Sequence, residues 1–574
     1  MFIGNDVVCQ NKSKSRVFLL QTVVLITFLA GCATSQKLVN EPATPPEQPF
    51  GEYLAGQHAQ ANMDIGAAAE YHQKALELDP DNLSLLGRTF SLCIADGRYD
   101  CAARAANRLR QNGRADSLVH LFLFLEQVEA GANEKALGLL EQVGDAGVYG
   151  LFKPLLRAWI AAEQGRREDV ELYLNQLFDN DSFENFKKYH AGLIYEYIGE
   201  YETAERLYAE ALVNVGGITL RNIEAYGRLL QKLGRGADAR QLYVNYLEKA
   251  PDNETLEAGL KRLKQGLAPG REIRNYRDGL AEIFYTSASF LMQDNIRTPA
   301  TLYLRLAKYL KPDFYHADFL LGQIFEIDDY YEGALNCLAN IPPESPFHYR
   351  ARLQQAWILE KTGRIEEAVA AMKALIAEYP EKIETYGALG DLYRIHSRFA
   401  EAGEAYTKLI ERLDKPEQKH WTIFYTRGIV LERQQRWHEA EKDFFRALEL
   451  QPDQPQVLNY LAYSWVERGE NLEQARRMLE KAAELRPHDG YIIDSLGWAL
   501  FKMGYKEKAL EILEKAVLLQ SDDWAINDHL GDVYWAVGRK NEARFQWRHA
   551  LSLNPDADKI PVIRRKLKHG YTPE

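Results

Sequence analysis

The sequence predicts an all-α solenoid of about fourteen helical hairpins, and three observations carry that expectation. A small residue, almost always alanine, recurs at a near-constant interval. A second small residue and a turn glycine recur in phase with it. Bulky residues fall at fixed offsets from both. The aligned positions are Ala68, Ala102, Ala136, Val170, Ala204, Ala239, Ala300, Ala334, Ala368, Ala402, Ala440, Ala475, Ala509 and Ala543, and nine of the thirteen steps have the same length as the first, Ala68 to Ala102. A 34-residue period of this kind marks a chain of stacked supersecondary units.

Each part of the repeat has a physical reason. The first helix closes on a small residue: Gly56, Gly192, Gly227, Gly322, Gly390, Gly428, Gly497 or Gly531. With alanine on the second helix, it lets two antiparallel helices approach closely. Turn glycines such as Gly97 and Gly504 supply a left-handed residue that ends the helix. Prolines such as Pro80 and Pro452 open the next helix or block continuation of the last. Tyr208, Tyr243, Tyr406, Phe444 and Trp547 stand one turn after the alanine and are expected to fill the groove to the next hairpin. The richness in tyrosine, with 32 residues, and in tryptophan is accordingly read as mostly structural.

Composition sets the outer bounds. The 574 residues exceed one ordinary core and suit a long array. With 46% hydrophobic and 26% charged residues the chain folds. Its net charge of −12 argues against nucleic acid, which needs clustered Lys and Arg. Five cysteines exclude a disulfide-built scaffold. Cys93 and Cys101 fall on the two helices of one hairpin and could pair in an oxidising compartment; two small buried thiols are the favoured reading.

Catalytic motifs are missing from the sequence: there is no phosphate loop, no H-E-x-x-H helix and no nucleophile elbow. His316, His348, His420, His438, His488, His529 and His549 sit on different repeats and read as mostly solvent-facing. Asp328 with Asp329, and Asp522 with Asp523, read as helix N-caps. The chain is therefore read as a non-enzyme, with no cofactor and no metal site.

The N-terminus reads as an address. Lys12, Lys14 and Arg16 precede an apolar run over 17–30, VFLLQTVVLITFLA. That is short for a membrane span, which needs ~20, but right for a signal peptide. It ends in Leu29-Ala30-Gly31-Cys32, which resembles the bacterial lipobox and implies lipidation of Cys32. Ala33, where Asp would imply inner-membrane retention, points by the same resemblance to the periplasmic face of the outer membrane. The expected organisation is a signal peptide over 1–31 and a lipidated, proline-rich tether over 32–50. An N-terminal array (51–252), an irregular junction (253–280) and a C-terminal array (281–555) follow. Residues 556–574 close the chain as a capping helix and tail. The run Ile560 to Lys568 is apolar on one side and basic on the other, as an array end requires.

The 34-residue period and its companion residues resemble the tetratricopeptide repeat (TPR) over residues 51 to about 555. The resemblance implies a right-handed superhelix whose first helices line a concave, partner-binding face. Removing the core positions leaves Asn459, Tyr463, Asp494, Trp498, Asp528 and Asp532 on that face, with Trp535 one turn on. Exposed Trp498 and Trp535 would take apolar side chains, the acids would select cations, and Asn459 would fix backbone amides. The phrases Tyr491-Ile-Ile-Asp-Ser-Leu-Gly-Trp498 and Ile526-Asn-Asp-His-Leu-Gly-Asp532, with the lipobox and the length, resemble the long TPR lipoproteins of proteobacteria. One such group contains the lipoprotein adaptor of a periplasmic carboxyl-terminal-processing protease. That resemblance implies a membrane-tethered scaffold that brings the protease to peptidoglycan hydrolases. The alternative is an assembly factor for an envelope machine: a pilus, a secretin or a polysaccharide exporter.

Overall fold

A computed structural model of the chain describes residues 49–177, 183–212, 220–251 and 253–572. The expected signal peptide 1–31, the expected lipidation site Cys32 and all but the last two residues of the expected tether lie outside the described residues. Among the described residues there are thirty α-helices and no strand, so the chain is an all-α solenoid of the TPR kind.

The hairpins run in chain order. The first six are α1–α2 (Phe50–Ala61, Ile65–Leu78), α3–α4 (Leu83–Asp96, Tyr99–Gln111), α5–α6 (Ser117–Glu129, Asn133–Leu140), α7–α8 (Val148–Glu163, Arg167–Leu177), α9–α10 (Glu184–Tyr197, Tyr201–Glu210) and α11–α12 (Leu220–Lys232, Gly236–Leu247). A single helix, α13 (Glu254–Lys264), comes next. Four more hairpins are α14–α15 (Tyr276–Gln293, Arg297–Leu310), α16–α17 (Tyr315–Ile327, Tyr331–Ala339), α18–α19 (His348–Lys361, Ile365–Glu378) and α20–α21 (Glu384–Ile395, Phe399–Ile410). The last four are α22–α23 (Trp421–Arg433, Trp437–Leu450), α24–α25 (Pro455–Arg468, Leu472–Leu485), α26–α27 (Gly490–Lys502, Lys506–Leu519) and α28–α29 (Trp524–Ala536, Lys540–Ser552), before the terminal α30 (Lys559–His569).

Close approach within each hairpin follows from the repeated glycine. Tyr208 lies over Gly192, Tyr243 over Gly227, Tyr406 over Gly390, Phe444 over Gly428 and Trp547 over Gly531. A Cβ at any of these glycines would come within 2.3–2.7 Å of the ring. The aromatics therefore pack first on their own hairpin, not only in the groove to the next one. Tyr243 does both, since Gly259 of α13 meets the other edge of its ring.

Two local readings change. Asp523 caps α28 as expected, accepting from the Ala525 and Ile526 amides at 2.8 and 3.0 Å. Asp328, however, ends α16 and accepts from Arg297, and Asp329 accepts from the Tyr331 hydroxyl, so this pair caps no N-terminus. Cys93 and Cys101 form a disulfide between α3 and α4, in place of the two free thiols favoured from sequence. Their Cα atoms stand 5.9 Å apart, well within bridging range.

The largest departure lies at the junction. There α13 packs Leu256 against Ile223 and Tyr243, as the first helix of a hairpin that lacks its second. The chain then turns back, and α14–α15 lie against α3, α5, α7 and α9, the first helices of the N-terminal hairpins. The Tyr99 hydroxyl donates to the Arg305 carbonyl at 2.8 Å, and Arg305 Nε donates to the Ala95 carbonyl at 2.9 Å. Gly279 of α14 lies on the buried Trp159 of α7. One apolar core consequently runs from Leu86 to Ile358 across the junction, where two separate arrays were expected. A second core runs from Phe424 to Ile563, with a smaller cluster from Ala356 to Val430 between them.

Candidate partner-binding surface

The 34-residue step gives this surface its geometry. Trp498, Asp532 and Lys566 occupy equivalent positions on α26, α28 and α30, and Asp494 and Asp528 stand one turn earlier on the first two. Equivalent positions on neighbouring first helices lie side by side, so side chains of one repeat meet those of the next. Lys566 Nζ donates to Asp528 and to Asp532, each at 2.7 Å. His529 Nδ1 donates to Asp494 at 2.9 Å, and its ring stacks on Trp498 with centroids 4.1 Å apart. Trp498 Nε1 donates to Glu467 at 2.6 Å, and Trp547 Nε1 donates to Asp532 at 3.0 Å.

These contacts correct the expected exposure. Trp498 is only 6% exposed and Asp494 equally buried, because His529 from the following first helix covers them. Asp532 is 1% exposed. Asp528 is shielded by Lys566, its side chain 13% exposed. Trp535 is half-buried beneath the backbone of Gly570, where a Cβ would come within 1.9 Å of its ring. Asn459 and Tyr463 are also half-buried, and the buried Asn459 Oδ1 has no hydrogen-bond partner. Beyond α30, Gly570 takes a positive φ of 87° and turns the chain back along the face. That turn sets the Tyr571 ring 5.7 Å from Phe501 of α26, with the Lys566 ammonium 5.8 Å from the same tyrosine. The structure thus gathers the predicted residues of α26 and α28 into one network, and residues 566–571 lie over its Asp528, Asp532 and Trp535 part.

The titrating groups respond to this crowding. Burial, and then the neighbouring Asp528 carboxylate, push the Asp532 carboxyl up to about 7, against the pull of Lys566 and His529. Two carboxylates share one ammonium here, so a proton on one of them relieves the excess. Burial opposes a charge on His529, but Asp494 outweighs it and raises the imidazole above its ordinary value. His529 was read as solvent-facing, as were His316 and His348. His316 packs beside Arg221, and His348 is buried with its Nδ1 against the Ile341 carbonyl.

Sequence reasoning missed a second charge cluster altogether. Arg221 of α11 is 4% exposed and pairs with Glu224, Glu272 and Glu282 at 2.5, 2.6 and 2.7 Å. The Tyr189 hydroxyl donates to Glu282 at 2.8 Å. Burial alone would raise the Glu224 carboxyl, yet Arg221 holds it down to about 2. Nearby, burial drives His190 down to about 3, so the ring is neutral. This cluster fastens α9, α11 and α14 together. Its partners come from elements up to 93 residues apart, around the longest interruption of the regular repeat step, so no spacing announces it. A cavity of about 690 Å³ lies beside it, lined by Glu196, Tyr197, Arg228, Lys232 and the 266–273 segment. Among the described residues no group of three or more His, Cys, Asp or Glu is placed to hold a metal. No described helix is long and apolar enough to cross a membrane.

The matches to known family models fall in the C-terminal half. Two tetratricopeptide-repeat family models match residues 331–383, 353–417 and 425–490, and residues 493–523 and 526–557. A TPR repeat-containing protein of Pseudomonas aeruginosa is 29% identical over 189 residues, 33% of this chain and 31% of that protein. The human protein O-mannosyl-transferase TMTC1 is 26% identical over 176 residues, 31% of this chain and 20% of that protein. The chain thus spans under a third of the length of these curated relatives. Among solved structures, a TPR protein from Parabacteroides merdae covers 44% of the chain at 20% identity, with 97% of its own length matched and a TM-score of 0.37. The APC/C hetero-tetramer Cut9-Hcn1 covers 91% at 16% identity, with 96% of its own length matched and a TM-score of 0.36.

Proposed function

We propose that this tetratricopeptide-repeat protein is a membrane-tethered periplasmic scaffold. A lipid on Cys32 would hold it at the outer membrane, where its repeats bring a carboxyl-terminal-processing protease to peptidoglycan hydrolases. TPR arrays are protein-binding scaffolds, and the repeat stack is the observation that carries the reading. The lipobox-like run before Cys32 supplies the address. The inner face of α24, α26 and α28, where Asn459, Tyr463, Asp528 and Trp535 are half-buried and Asp494, Trp498 and Asp532 lie covered beneath, is the proposed contact surface. Its α24 part, Asn459 and Tyr463, lies outside the stretch covered by the tail. A pull-down of the mature chain from envelope extract, with the bound proteins identified, tests the reading. Recovery of a protease together with a cell-wall hydrolase supports it. Recovery of a secretin, pilus or polysaccharide-export component instead turns it to the assembly-factor alternative. The purified chain alone is expected to hydrolyse neither peptidoglycan nor protein, and turnover that survives removal of contaminants would defeat the scaffold reading.

A further inference from the structure

We propose that the inner groove of the last two hairpins is a binding site for a segment carrying a lysine and, five residues on, an aromatic, and that the chain's own tail occupies this site as an internal ligand. The inference rests on the scaffold reading and gives its contact surface a partner chemistry and a gate.

Three features of the tail carry it. Lys566 donates to two carboxylates that share one patch, Asp528 and Asp532, at 2.7 Å each. Gly570 sits on the Trp535 ring with no room for a side chain, so the backbone there is fitted to an aromatic floor. Tyr571 then reaches past α28 to Phe501 of α26, two first helices back. An end cap needs only the apolar face of α30, where Ile563 is buried and Leu567 packs beside it; Tyr571 meets the same core from beyond the helix. The turn at Gly570 and the placement of Tyr571 go beyond that need. They lay a short segment across the face on which partner segments are proposed to bind. The site beneath it is acidic at one end and aromatic at the other, from Asp528 and Asp532 to Trp535 and Phe501. A segment in trans must carry the same two groups at the same spacing, and it must first displace the tail. Its apparent affinity is therefore reduced by the fraction of chains in which the tail is lifted.

The test uses a labelled peptide with the sequence of residues 565–572 and the mature chain in three forms. These are the natural sequence, Lys566→Ala with Tyr571→Ala, and Gly570→Val. The double variant removes both anchors and leaves Ile563 and Leu567 to hold the cap. Its peptide affinity is expected to exceed that of the natural chain tenfold or more, and Asp528→Asn with Asp532→Asn in that background should abolish the gain. A peptide with alanine at its Lys566 or Tyr571 position should lose it too. If the double variant binds no better while its helicity and melting are unchanged, the proposal is overturned. If the double variant loses helicity, Gly570→Val takes its place, since it lifts the tail from Trp535 without touching Lys566 or Ile563. Absence of any gain there overturns the proposal equally. Capture of envelope proteins by the natural chain, unaltered by either result, would leave the scaffold reading standing without the gate.

Discussion

Lys566 and Asp532 stand one repeat step apart in the chain and 2.7 Å from each other, the lysine on α30 meeting the same repeat position on α28, one repeat earlier. Asp528 takes a second bond from the same ammonium, which leaves the pair of acids short of positive charge. In an unfolded chain Asp532 would titrate near ~4 and His529 near ~6.5. Folding raises both, Asp532 to about 7. The native state therefore holds more protons than the unfolded one from ~pH 4 upwards through ~7, and stability falls as pH rises across that window. The C-terminal hairpins should unfold at a lower urea concentration at about pH 8 than at about pH 5, read through tryptophan fluorescence. Asp532→Asn should flatten that slope, and a slope unchanged in the variant would assign the effect to other groups.

Trp498 sits under His529 and beside Phe501, so truncating it opens a cavity in the C-terminal core. Trp498→Ala should cost ~3–5 kcal/mol of stability, the usual range for a buried aromatic. Denaturant titration of the natural and variant chains reads this directly. An unchanged midpoint would place the ring on an open surface after all.

The contrast between Trp498 and Gly531 shows how much was legible. Gly531, Ala543 and Trp547 lie within one hairpin, so a single repeat unit specifies their contact. The place of Trp498 on the first helix of its hairpin was legible for the same reason. Its burial was not, because it depends on His529 of the next first helix, at a place the repeat pattern leaves free. The docking of α14–α15 into the N-terminal hairpins was still further from reach. Tyr99 and Arg305 meet across 206 residues, and nothing in either local pattern names the other.

Arg221 offers a test of that long-range fastening. Arg221→Ala would leave Glu282 and Glu224 buried without their cation, a loss that typically costs ~3–5 kcal/mol. The melting of the N-terminal hairpins should fall accordingly while the C-terminal core keeps its own transition. A single unchanged transition would show that the buried acids find other partners.

Cys32 carries the proposed tether. Cys32→Ser should move the protein from the membrane fraction to the soluble fraction without altering its far-ultraviolet circular dichroism. Retention in the outer membrane after salt washing would mean that something other than a lipid on this residue holds it.

Two glycines separate local from long-range coupling. Gly497 packs on Leu513 within its own hairpin, where a Cβ would come within 2.6 Å of Leu513 Cγ. Gly279 packs on Trp159, far earlier in the chain and in another hairpin, where a Cβ would come within 2.3 Å of the indole. Valine at either site overpacks a tight contact, at a typical cost of ~1–3 kcal/mol. Repeat arrays couple mainly between neighbours, so the loss from Gly497→Val should stay in the C-terminal hairpins. Gly279→Val should act differently, because α14 lies against α7 and α9 as well as its chain neighbour α15. Forcing α14 off Trp159 should strip hydrogen-exchange protection from α7 and α9 and, through α15, from α3 and α5. Native-state hydrogen exchange with peptide-level readout distinguishes the two patterns. Protection lost only in α14 and α15 would mean that the N-terminal hairpins hold together without the helices packed inside them.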